Sequence, residues 1–145
     1  MSIQFKMASA AHAPALLDFL QSAQLLTNDL PNDLTGFTLA FEGDQLIGSA
    51  GMELKGATGL LRSVAVSETH RKQQLGQKLL AQALEYARLN EVQEVFLITE
   101  SAAQYFEKHG FQRMERAHVP IEILETKQFS ELCPASAIVM KLQLD

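Results

Sequence analysis

The 145-residue chain has a single cysteine, Cys133. That excludes an internal disulfide and suits a reducing cytoplasm, where the protein is expected to reside. Excess positive charge is also missing: 12 Lys and Arg stand against 17 Asp and Glu, for a net charge of −5. A nucleic-acid binder normally shows a basic balance or stripe, so no nucleic-acid partner is expected. No apolar run approaches the roughly 20 residues that span a bilayer. The opening stretch "MSIQFKMASAAHAPALL" lacks the charged-then-apolar layout of a signal peptide, so no membrane association is expected. Four scattered His and one Cys give no metal-ligand spacing, and no metal is expected. Internal repeats and low-complexity tracts are absent.

What is present is an ordinary globular composition, 47% hydrophobic and 20% charged, at a length that fits one domain over residues 1–145. Ile3, Phe5 and Met7 alternate with polar residues and predict a strand over 2–8. Ala13, Leu16, Leu17 and Leu20 fall at helical spacing within 10–23, with Pro14 near the first turn, where proline is tolerated. "FTLAFEGDQLIGSAGMEL" reads as two strands joined at Glu42-Gly43-Asp44. "KGATG" then turns the chain into a third strand, "LLRSVAV", and connections this tight require antiparallel neighbours.

Leu75, Leu79, Leu80, Ala83, Leu84 and Ala87 form one apolar stripe, predicting an amphipathic helix over about 74–90. "EVFLIT" is a continuous apolar run, the mark of a strand covered on both faces. Strand, helix and strand make a βαβ unit with a right-handed crossover expected. A short helix over Ala102 to His109, ended by Gly110, follows. "FQRMERAHV" and "SAIVMKLQL" supply two more strands, with a short helix near 120–127 between them. The expected architecture is a single α/β domain: a mixed, mostly antiparallel central sheet flanked by helices.

Between the third strand and the long helix lies "SETHRKQQLG". A helix N-terminus offers unpaired N–H groups and the positive end of the helix dipole, a ready anion site. Arg71 and Lys72 add full charges, and Gly76 would let backbone approach a ligand closely. A basic loop on an acidic chain suits a small phosphorylated cofactor better than a polyanion. A plain strand-to-helix connection with solvated charges is the alternative reading of the same residues.

"VAVSETHRKQQLGQKLL" resembles the acetyl-CoA-binding motif of the GCN5-related N-acetyltransferases, commonly V-x-P-x-x-R-x-x-G-x-G/A. Val66, Arg71 and Gly76 match in register; Glu68 stands where proline is common and Gln74 where the first glycine is expected. "AAQYFEKHGF" resembles the family's later A-x-x-x-Y-x-K-x-G-F segment, and the order of elements fits along essentially the whole chain. Within the family, "GMELKGATGLLRSVAV", "FLITESAAQYFEKHGF" and "FSELCPASAIVMKLQL" look most like the branch associated with arsenic-resistance gene clusters. The resemblance implies acetyl-CoA as co-substrate, a small-molecule amine as acceptor and, as in many members, a homodimer. It implies that Val64, Ala65 and Val66 offer backbone groups to the acetyl carbonyl and pantetheine arm. N–H groups of Arg71, Lys72, Gln73, Gln74, Leu75, Gly76 and Gln77 would hold the pyrophosphate. Thr99 stands where many members carry an Asn that contacts the cofactor arm, and Phe106 where many carry a Tyr that protonates the CoA thiolate.

Direct acetyl transfer needs a neutral amine, a stabilised oxyanion and a proton for the departing thiolate. Glu53, near the end of the second hairpin strand, is the candidate base or amine anchor. Arg62, on the neighbouring strand, is the candidate clamp for a substrate carboxylate. The Lys55–Gly59 turn should bring the two together, although a surface cross-strand salt bridge would look the same in sequence. His70 is expected to be a solvated loop residue, and Tyr105 a packing residue with its hydroxyl at the surface. Cys133 is expected to pack, since a lone thiol cannot chelate arsenite. The expected activity is N-acetylation of an amino acid or amino-acid-like toxin. A protein N-acetyltransferase and a non-catalytic acyl-CoA sensor are the alternatives.

Overall fold

The computed structural model of the protein describes residues 3–25, 27, 30, 34–126 and 137–144, and Cys133 lies outside them. Its strands are β1 Ile3–Met7, β2 Phe37–Glu42, β3 Gln45–Lys55, β4 Thr58–Val66, β5 Glu94–Thr99, β6 Gln112–Met114 and β7 Ile138–Gln143. The helices are α1 Ala13–Ser22, α2 Leu75–Leu89, α3 Ala103–Lys108 and α4 Ile121–Leu124. The strands form a seven-stranded sheet in the order β1-β2-β3-β4-β5-β7-β6. Pairing is antiparallel for β1–β2, β2–β3, β5–β7 and β6–β7. It is parallel for β4–β5, with Thr58–Leu60 against Glu94–Phe96. Short turns join β2 to β3 and β3 to β4, and α2 crosses over between β4 and β5, giving the mixed, mostly antiparallel sheet expected.

Two elements differ from expectation. The helix expected from Ala10 opens as a 3-10 turn, Ala10–His12, and α1 begins at Ala13, with Pro14 in its first turn. The strand expected over 111–119 stops at Met114, and Arg116–His118 forms a 3-10 turn instead. Met114 pairs with Val139, and the β6–β7 ladder ends there.

By packing, the chain divides into two compact units. The first comprises Met1–Glu53 and Arg62–Tyr86. Its core gathers Leu16 and Leu20 of α1 with Leu34, Phe37, Leu39 and Phe41. Buried residues of the α2 stripe, Leu75, Leu79, Leu80, Ala83 and Leu84, also belong to it. Gly48 in β3 explains how closely α2 lies over that strand. A Cβ there would stand 2.7 Å from Leu79 Cδ1 and 3.3 Å from Leu75 Cδ2. A side chain at 48 would force the Leu79 and Leu75 side chains out of their places against the strand.

The second unit comprises Leu54–Leu61 and Ala87–Asp145. Its core joins Leu60, Phe96 and Val139 from the sheet to Val119 and Ile123. β5 is buried through Val95, Phe96 and Leu97, as its unbroken apolar run predicts. Gly110, at φ +97, ends α3 in the left-handed conformation that glycine adopts without strain. Among the described residues, no helix is long and apolar enough to cross a membrane.

Candidate active site

The segment after β4 is the one the sequence singles out as a cofactor loop. Ser67 N–H donates to the Ile47 carbonyl at 2.8 Å, tying the exit of β4 to β3. Glu68–Gln73 then coil as a 3-10 turn, and Gln74 takes the left-handed conformation, φ 57 and ψ 25. α2 starts at Leu75, and Lys78 N–H donates to the Gln74 carbonyl at 3.2 Å. The N–H groups of Gln74, Leu75, Gly76 and Gln77 therefore precede the first full helical bond. Right-handed residues followed by one left-handed residue turn successive N–H groups toward one point, the nest geometry that holds phosphates.

Gly76 is the second residue of α2, and the left-handed position falls on Gln74, where the family motif has its first glycine. A side chain in that conformation costs about 1–2 kcal/mol relative to glycine. Spacing along the chain does not reveal which residue turns left-handed; the transition from 3-10 turn to α-helix decides it.

Upstream, Val64, Ala65 and Val66 are half-buried at the end of β4. Immediately before them Ser63 is also left-handed, at φ 55, inside a strand. Ser49 Oγ donates to the Ser63 carbonyl at 2.7 Å, and Arg62 Nε donates to Ser63 Oγ at 3.2 Å. These bonds hold a kink that redirects the last three residues of β4. Sequence reasoning missed Ser49 and Ser63; two small hydroxyls inside otherwise apolar buried strands were the available signal.

Glu53 and Arg62 do meet, with Arg62 Nη1 donating to Glu53 Oε1 at 2.7 Å. The depth of the pair departs from expectation. The Arg62 side chain is 0% exposed and that of Glu53 19%. The guanidinium also lies 5.9 Å from the centre of the Phe37 ring, within cation–π range. Arg62 is thus a buried partner of Glu53 and not one half of a surface salt bridge. A strand pattern tells which residues neighbour across a turn but not how far below the surface they sit.

His70 is corrected as well. It is 7% exposed, with Nε2 3.1 Å from Glu42 Oε1. Thr99 and Phe106 lie in the second unit. Thr99 Oγ1 accepts from the N–H groups of Ala102 at 3.0 Å and Ser101 at 3.4 Å, closing the turn before α3. Phe106 is buried, with its ring edge-on to Phe111 at 5.6 Å, a packing position. Tyr105 packs as expected, against Phe106 at 5.3 Å and His109 at 4.7 Å. Its hydroxyl, however, is buried and has no hydrogen-bond partner among the described residues. Burial raises the phenol pKa above its ordinary value, so the group stays protonated at neutral pH. Tyr105→Phe removes an unsatisfied polar atom, so stability should hold or rise by up to about 1 kcal/mol. Turnover should stay within a few-fold; a hundredfold loss at unchanged acetyl-CoA affinity would make Tyr105 the general acid instead.

Among the described residues, no group of three His, Cys, Asp or Glu is placed to hold a metal ion. No curated protein matches the chain. Solved structures do. N-acetylglutamate synthase from Neisseria gonorrhoeae, complexed with coenzyme A and L-arginine, superposes with a TM-score of 0.82 at 18% identity. The match covers 98% of this chain and 33% of the synthase, so the chain spans about a third of that protein's length. Rv2747 from Mycobacterium tuberculosis, in complex with CoA and NLQ, gives 0.80 at 21% identity, covering 98% and 99% of the two chains. A GNAT-family acetyltransferase from Staphylococcus aureus Mu50 gives 0.78 at 20%, covering 99% and 100%. These likenesses show the fold. Residues 33–113, more than half of the chain, match the model of the acetyltransferase (GNAT) domain, and the protein belongs to that family, whose enzymes use acetyl-CoA as co-substrate.

Proposed function

We propose that the protein is an acetyl-CoA-dependent N-acetyltransferase acting on a small amine, with an amino acid or amino-acid-like toxin as acceptor. The observation that carries this reading is the left-handed Gln74 between a basic 3-10 turn and the start of α2. That arrangement collects backbone N–H groups where phosphate oxygens need donors, and charges at 71 and 72 complement it. Val64 to Val66, redirected by the kink at Ser63, offer the backbone groups for the acetyl arm. Acetyl-CoA supplies the thioester whose acetyl group is transferred.

Glu53 is the base or anchor for the amine. Its Oε1 is engaged by Arg62, which fixes the carboxylate's orientation and leaves the second oxygen for the acceptor's ammonium or an intervening water. Glu53 takes a proton from the ammonium, and the freed nitrogen forms a bond to the acetyl carbon as the carbon–sulfur bond breaks, shedding its second proton to water to leave the neutral amide. The departing thiolate takes its proton from water, since a thiol pKa near the free value of about 8.5 makes it a fair leaving group. The amino-acid class of acceptor is supported by the resemblance to the arsenic-resistance branch. The N-acetylglutamate in the gonococcal synthase's name is an N-acetylated amino acid and points the same way.

Calorimetry tests the cofactor half. Acetyl-CoA should bind the wild-type protein, and Arg71→Ala should weaken binding roughly tenfold or more, the loss of one charge-assisted contact. Raised salt should weaken it further by screening. A wild-type protein without affinity for acetyl-CoA sinks the reading. CoA thiol release across free amino acids and phosphinate or arsinate analogues tests the acceptor. Tight binding with no turnover on any amine would make the protein a non-catalytic module.

A further inference from the structure

The cofactor cradle begins with a side chain that the chemistry above leaves unused. His70 is the residue immediately before Arg71, and it is buried although the residues before it are exposed. Its Nδ1 stands 2.9 Å from Thr69 Oγ1 and 3.2 Å from Ser67 Oγ, which are themselves 2.9 Å apart. A hydroxyl donating to Nδ1 leaves the ring proton on Nε2, which donates across 3.1 Å to Glu42 Oε1. Glu42 is the last residue of β2, and its side chain is 20% exposed. The ring therefore ties the 3-10 turn to the end of a core strand, while Ser67 N–H ties the same turn to Ile47 of β3.

A nest points several N–H dipoles toward one place, and without an anion they repel one another. Such a turn needs fixing from outside. We propose that His70 and Glu42 form a clasp that holds the 71–77 segment in its anion-binding shape, so that acetyl-CoA affinity is set by this pair as well as by the groups that touch phosphate. His70 is a positioning residue here. Ordering the turn before the ligand arrives spares the ligand the entropy of ordering it. The proposal rests on the cofactor reading above.

Glu42→Ala and His70→Ala should each raise the acetyl-CoA Kd about tenfold, and the KM for acetyl-CoA in step. Turnover at saturating acetyl-CoA should stay within about threefold. Glu42→Gln keeps an acceptor oxygen toward Nε2–H and should restore Kd to within about threefold of wild type. Amide hydrogen exchange without ligand should quicken in Glu42→Ala at His70 and Lys78, whose N–H groups make the turn's backbone bonds to Ser67 and Gln74, and not at β5. Should the alanine variants fail to fold, Thr69→Val removes only the hydroxyl at Nδ1 and should give the same pattern at about threefold in Kd. Unchanged exchange at His70 and Lys78 overturns the clasp, and so does faster exchange with unchanged Kd. A wild-type protein that binds no acetyl-CoA overturns the cofactor reading instead, while the exchange rates, measured without ligand, still decide whether the clasp holds the turn.

Discussion

The Arg62→Ala protein is expected to lose about 3–5 kcal/mol of folding stability, the cost of breaking a buried ion pair by removing one partner. Three contributions set this size. The Glu53 carboxylate, 19% exposed, loses the donor 2.7 Å from its Oε1. Ser63 Oγ loses the Nε donor at the left-handed kink of β4. The vacated volume beside Phe37 adds a cavity cost, because close-packed cores collapse only partly. For a chain of this length the melting temperature should fall by on the order of 10 °C. Arg62→Met combined with Glu53→Gln should cost less than Arg62→Met alone, since no unpaired charge then remains. Urea unfolding of the four proteins reads this directly. A loss below about 1 kcal/mol for Arg62→Ala would class the pair with exposed salt bridges.

Glu53→Gln should lower turnover by about a hundredfold or more, the usual contribution of a positioned general base. Gln keeps a carbonyl oxygen toward Arg62 but leaves the buried guanidinium without its counter-charge, so stability should fall. Rates are to be compared well below the variant's unfolding transition, where acetyl-CoA affinity should remain close to wild type. The deficit should narrow as pH rises, because more of the acceptor amine is then already neutral and needs no base. Initial rates against pH, with acetyl-CoA Kd measured in parallel, separate these effects. Turnover unchanged by the substitution would make Glu53 only the counter-charge of Arg62.

Much of this molecule is legible along the chain. The stripe from Leu75 to Ala87 is buried throughout, and "EVFLIT" is β5 from its first residue to its last. Both follow from periodicities that burial imposes on neighbouring residues. The proximity of Glu53 and Arg62 was also legible, because a short turn leaves the two flanking strands no choice of partner. Depth was not. Arg62 and His70 are charged or titratable residues in what reads as a strand with a surface salt bridge and a polar loop, yet both are covered by parts of the chain distant in sequence. His70 meets Glu42 across 28 residues, and no local pattern encodes that contact.

The sequence by itself determined the order of strands and helices, the family motif around Val66, Arg71 and Gly76, and the meeting of Glu53 with Arg62. Each depends on residues a few positions apart, where chain connectivity limits the possible geometries. Only the tertiary structure decided that Gln74 carries the left-handed turn, that Ser49 supports the kink at Ser63, and that His70 closes on Glu42. Those outcomes depend on which backbone groups and side chains are left without water once distant segments pack, and each buried polar group must then find its partner wherever the fold has brought one.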